Sequence, residues 1–156
     1  MNSLKRYVNN FATLFYPKLC FACLERTPTP NQILCINCQY ELVPTQMHFE
    51  ASNPVLEKFW GRVPINAGAA MFQFTKTGKI QRLIHQLKYK GKQEIGRALG
   101  HQYGESLRAS PLFQDIDLIV PVPLHPKKLK LRGYNQSDLL QPDFQKLWEY
   151  LGRKMD

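Results

Sequence analysis

Three stretches before Ser110 carry apolar residues at helical spacing. Leu4, Val8, Phe11 and Phe15 predict an amphipathic helix over residues 1–18 that stops at Pro17. Ile80, Leu83, Ile84 and Leu87 stand at i, i+3, i+4 and i+7, which predicts a helix with one buried face; Arg82, His85, Gln86 and Lys88 fall elsewhere on it. Gly91 is placed to close that helix in the left-handed conformation. Ile95, Ala98, Leu99, Tyr103 and Leu107 form a second stripe over 94–107, ended at Ser110-Pro111, with Gly96, Gly100 and Gly104 permitting close approach of a neighbour. Two further stretches predict strands. Residues 67–75 (AGAAMFQFT) are patterned as one, and 117–120 (DLIV), closed by Pro121 and Pro123, end as a buried parallel strand ends. Strand, helix, helix, strand is compatible with the first part of a doubly wound sheet.

The remaining segments are less regular. Residues 39–63, with Pro44 and Pro54, predict a linker holding one short helical piece near 55–60, where Phe59 and Trp60 are packing residues before they are a base-stacking platform. After Val122 the chain opens into a loop, turns at Gly133, and offers Asn135 or Ser137 as the cap of a helix starting near Asp138. Gln141-Pro142-Asp143 interrupts that helix, and Phe144, Leu147, Trp148 and Leu151 predict another amphipathic turn or two.

Cysteine spacing changes the picture most. Cys20-x-x-Cys23 and Cys35-x-x-Cys38 are separated by residues 24–34 and use all four cysteines of the chain. Each pair turns two thiolates toward one ion, and two such turns complete a tetrahedral sulfur cage of the kind that holds structural zinc. Two disulfides, or a redox-active pair, are the alternatives. A closed four-sulfur site leaves no position for substrate, so zinc here serves folding.

Charge adds a second feature. The chain has 156 residues and a formal net charge of +9, which points to polyanionic partners: nucleic acid, phosphorylated metabolites or an anionic membrane surface. Lys127, Lys128, Lys130 and Arg132 crowd the loop that follows the predicted strand, with His125 beside them and Asn135 and Gln136 behind. Ligands of open α/β sheets sit beyond the carboxyl ends of strands, so this loop is a candidate anion site. Lys88, Lys90 and Lys92 are a second basic cluster; they suit the C-terminal dipole of the helix before them, or they face the same anion. No run approaches the ~20 apolar residues of a membrane span.

The run DLIVPVPLHPKKLKLRGYNQSDLL over 117–140, with LKYKG over 87–91 and the paired cysteines, closely resembles the ComF family of bacterial DNA uptake proteins. The resemblance covers residues 20–140 and implies an α/β fold class: a small four-cysteine zinc ribbon followed by an incomplete doubly wound phosphoribosyltransferase-like domain. Its divisions are an N-terminal helix (1–18), a ribbon (19–45), a linker (46–64) and a partial transferase-like domain (65–156). The family's Thr/Gly-rich phosphate loop, with two acidic residues before it, has no counterpart here, and the sequence departs from the family after Leu140 as if shortened.

The resemblance implies a cytoplasmic protein of competence that binds single-stranded DNA, or a phosphoribosyl or pyrophosphate ligand, with an uptake helicase as partner. The basic residues above would meet the phosphates. The alternative is an amidophosphoribosyltransferase-like enzyme of nucleotide salvage, or an inactive fragment of one. Transfer by this chain alone is not expected, because both the ribose phosphate and the magnesium pyrophosphate must be fixed while charge develops. Mg2+ would enter with phosphoribosyl pyrophosphate only if the missing part were supplied.

Overall fold

The structure, a computed structural model, describes residues 17–75 and 78–140. The predicted N-terminal helix and the apolar turns after Phe144 lie outside them. Among the described residues there are five α-helices: α1 (Ile36–Glu41), α2 (Pro54–Glu57), α3 (Lys79–Tyr89), α4 (Gln93–Arg108) and α5 (Pro126–Arg132), with 3-10 turns at Met47–Phe49 and Pro111–Phe113.

The helical periods read from the sequence become α3 and α4. Ile80 and Leu83 are the buried residues of α3, and Gly91 ends it at φ 65°. On α4 the buried residues are Ile95, Gly96, Gly100 and Gly104. Gly96 and Gly100 form a lane for the turn at 136–140. A Cβ on Gly96 would lie 2.9 Å from Leu139 Cβ, and one on Gly100 would lie 2.9 Å from Leu140 Cα. The second of these is a collision with backbone, so the lane fixes where the chain after Gly133 can run.

The sheet of the predicted α/β class is not seen: the described residues are helical and contain no strand. Residues 67–75 are irregular, and so are 117–122, where Leu118, Val120 and Val122 are 72–74% exposed rather than buried. Apolar alternation selects a strand only when a second backbone completes a ladder; Met71 O accepts a bond from the Thr45 N–H at 2.8 Å, but no ladder forms in either stretch among the described residues. The basic loop after Val122 is corrected too, because 126–132 winds into α5. His125 caps it through Nδ1, which accepts from the Lys127 N–H at 3.3 Å, Pro126 sits at its first turn, and Gly133 closes it at φ 78°. The helix expected from Asp138 is instead a turn, with Asn135 Oδ1 accepting from the Ser137 N–H at 3.3 Å.

One core holds these parts together. Cys20, Ala22, Leu34, Cys35 and Cys38 are buried against Ile80, Leu83 and Ile95, with Phe21, Ile33, Phe72 and Leu87 packed around them. The segment between is tied down by Asn53. Its side-chain amide donates to the carbonyls of Met47, Glu50 and Gly68 at 3.2, 3.1 and 2.8 Å, while its Oδ1 caps α2 from the N–H groups of Val55 and Leu56. A buried polar group satisfied this fully stabilises the loop that carries it.

A different buried group is left short. His48, 2% exposed, stacks beside Phe49 and meets the edge of Tyr103 at 5.7 Å between ring centroids, while its Nδ1 and the Tyr103 hydroxyl are both buried without a partner. Burial disfavours the imidazolium and lowers the His48 pKa, and it pushes the Tyr103 phenol up to about 12. The folded state therefore resists a proton that the unfolded chain accepts near its ordinary value of ~6.5. Stability is full above that value and falls as pH drops through it. At saturating metal, melting temperatures measured from pH 7.5 to 5.5 should decline more steeply for the wild type than for His48→Gln. Parallel profiles would remove His48 as the cause.

Candidate metal centre and basic face

The first cysteine knuckle is a tight backbone turn. The Cys20 N–H donates to Arg26 O and the Leu24 N–H to Cys20 O, each at 2.8 Å, with Leu24 in the left-handed region at φ 62°. The Phe21 N–H donates to Ile33 O at 3.1 Å, which joins this turn to the segment leading into the second knuckle. There Cys35 is the N-cap residue of α1 and Cys38 lies in its first turn. Local turn and helix start thus aim two pairs of sulfurs at one point.

The four Sγ atoms lie within 4.8 Å of one another. Cys23 and Cys35 Sγ are 3.9 Å apart, and all four are free thiols, so the disulfide alternatives are not formed. A tetrahedral cage with metal–sulfur bonds of ~2.3 Å places its sulfurs ~3.8 Å apart, and the cluster fits that geometry. The four cysteines are therefore placed to hold one metal ion.

Ionisation across the cluster is uneven. Burial pushes the Cys38 thiol up to about 12, reinforced by the neighbouring Cys35, Cys20 and Cys23. Burial also works against the Cys23 thiolate, but the backbone at Glu25 and Arg26 and the side chains of Cys20 and Cys35 together bring this thiol down to about 6. Four sulfurs this close cannot all carry charge without a cation among them, and a divalent ion removes that conflict.

Helix α3 covers the knuckles with polar side chains that the apolar period leaves unassigned. Arg82 Nη1 donates to Ala22 O at 2.8 Å and Cys23 O at 3.1 Å, and Gln86 Nε2 donates to Phe21 O. Lys79 pairs with Glu41 on α1, which raises the Lys79 pKa, with the Cys38 sulfur adding to the effect. The Arg82 and Gln86 contacts span 59 to 65 positions of sequence, and the Lys79 pair spans 38. Only their place one turn apart beside the buried stripe hints at them.

The predicted anion residues divide into two groups. Lys127, Lys128 and Lys130 are exposed on α5, and Lys90 and Lys92 are exposed after α3, with Lys92 Nζ 5.7 Å from the Phe21 ring centroid. Lys88 is half-buried. Neither ion pair among the described residues uses any of these lysines. The other residues are engaged internally. Arg132 lies over the Tyr89 ring at 5.2 Å and donates to Gln136 Oε1 at 2.7 Å, while Gln136 Nε2 donates to Tyr134 O at 3.2 Å. Asn135 Nδ2 donates to Val122 O at 3.0 Å and Asp138 Oδ1 at 2.8 Å, and the Tyr134 hydroxyl donates to Leu87 O. Arg132 and Tyr134 thus tie the chain after α5 to the end of α3.

Among known proteins, the chain is 40% identical over 67 residues to the DNA utilization protein YhgH of Salmonella typhimurium. That match covers 41% of this chain and 30% of the relative, so it spans well under half of either. No protein-family model and no solved structure matches. Among the described residues no helix is long and apolar enough to cross a membrane.

Proposed function

We propose that this chain is a ComF-like, zinc-stabilised module that engages single-stranded DNA in the cytoplasm during DNA uptake or use. The observation that carries the reading is the four-sulfur cluster, in a chain that shares 40% identity over 67 residues with a DNA utilization protein. Zinc is the ion that four thiolates in paired spacing suit best, and it acts as a folding element. The division into a ribbon (19–45), a linker (46–64) and a partial phosphoribosyltransferase-like domain (65–156) belongs to this proposal. Lys127, Lys128 and Lys130 supply the phosphate contacts, joined by Lys90 and Lys92. Arg132, Asn135 and Gln136 shape the turn behind them.

Fluorescence anisotropy of a labelled single-stranded oligonucleotide across a salt series tests this directly. Affinity should fall linearly in log–log form, and the combined Lys127→Ala, Lys128→Ala, Lys130→Ala variant should flatten the slope by ~2, at ~0.7 per lost phosphate contact. An unchanged slope would remove these residues from the interface. A thermal shift with magnesium and phosphoribosyl pyrophosphate, in a protein without strand affinity, would favour the pyrophosphate ligand instead.

A further inference from the structure

Helix α3 reaches a cysteine sulfur through the Phe21–Ala22 peptide unit. Gln86 Nε2 donates to Phe21 O, and the nitrogen of that same peptide, the Ala22 N–H, donates to Cys20 Sγ at 3.4 Å. Hydrogen bonds aligned through one amide polarise each other, so a donor on the oxygen strengthens the N–H facing the sulfur. Beside it, Arg82 holds the next two carbonyls, Ala22 and Cys23, at 2.8 and 3.1 Å. A divalent ion within four thiolates leaves two negative charges in a buried place, and the Arg82 guanidinium is a fixed cation at its edge.

We infer that Gln86 and Arg82 are positioning residues of the metal centre. Gln86 aims the Phe21–Ala22 amide at the Cys20 sulfur, and Arg82 clamps the knuckle while offsetting the charge of the filled cage. Metal capture and the docking of α3 are then one transition, and that transition also sets the place of the basic stretch ending α3. The inference rests on the reading that the four thiolates hold zinc.

The test uses the full chain with Zn2+ and Co2+. Gln86→Leu and Arg82→Met keep helix propensity and side-chain bulk while removing the donors. Zinc affinity, measured by competition with a chromophoric chelator, should drop about 10–100-fold in each, the range typical of groups that orient metal ligands. Arg82→Lys, which keeps the charge, should recover part of the loss. In Gln86→Leu the sulfur-to-cobalt charge-transfer band should also move to lower energy, because a thiolate that loses a hydrogen bond is easier to oxidise. Affinities within about two-fold of wild type together with an unshifted band would overturn the inference. If the two variants do not fold, Arg82→Lys and Gln86→Asn decide it through the rise in melting temperature on adding zinc: a smaller rise than in wild type supports it, and an equal rise overturns it. A wild-type chain without a four-thiolate cobalt spectrum would sink the zinc reading itself, which is a separate result.

Discussion

Cys38→Ser is expected to leave the chain without a cooperative melting transition, as is exhaustive chelation of the wild type. Cys38 is buried in the shared core beside Cys20 and Cys35, and that burial pushes its thiol up to about 12, so the thiolate needs a compensating cation at neutral pH. A serine there offers the metal a poor ligand and leaves a hydroxyl among apolar neighbours. Structural zinc bound by four such ligands contributes on the order of 10–16 kcal/mol in small zinc modules, which matches or exceeds the whole stability of a typical domain. Near-UV circular dichroism and thermal melts with and without chelator give the answer. A variant that melts within ~1 kcal/mol of wild type, chelator or not, would show that the sulfurs merely pack.

Leu83→Ala should produce the next largest loss, ~2–5 kcal/mol, visible as a lower urea midpoint at unchanged slope. Leu83 is 1% exposed and lies in the cluster that joins the cysteine knuckles to α3 and α4. Truncation leaves a hole between elements that are each anchored elsewhere, so little collapse can fill it. Leu131→Ala is the internal control: Leu131 is 79% exposed on α5, and its loss should stay within ~0.5 kcal/mol. Equal effects at the two positions would mean that the core is misplaced.

Local signals in the sequence were legible and remote ones were not. The C-x-x-C spacing and the stripes of α3 and α4 depend on neighbours within a few positions, and they appear where the sequence places them, down to Gly91 and the close approach at Gly96 and Gly100. Helix α5 is hidden in the sequence although Pro126 and Gly133 bracket it as start and stop, because the charge of Lys127, Lys128 and Lys130 reads as loop. The strands over 67–75 and 117–120 did not form, since a ladder depends on a second backbone that no periodicity specifies. The period places Arg82 and Gln86 only outside the buried face of their helix; their partners, 59 to 65 positions away, have no signature in spacing. His48 is the same kind of case, buried by contacts with Phe49 and Tyr103 that only the folded chain brings together.

The core that, among the described residues, spans Cys20 to Ile95 bears on how this polypeptide can be divided. A cut anywhere between Pro44 and Val63 would part the knuckles from the helices that roof them, so neither piece keeps a complete interior. Mixed again with zinc, the two pieces would reunite as a bimolecular complex whose yield climbs with peptide concentration. In the unbroken chain that dilution penalty is absent, and an ion held by the four cysteines would work as a clasp between distant parts of one strap.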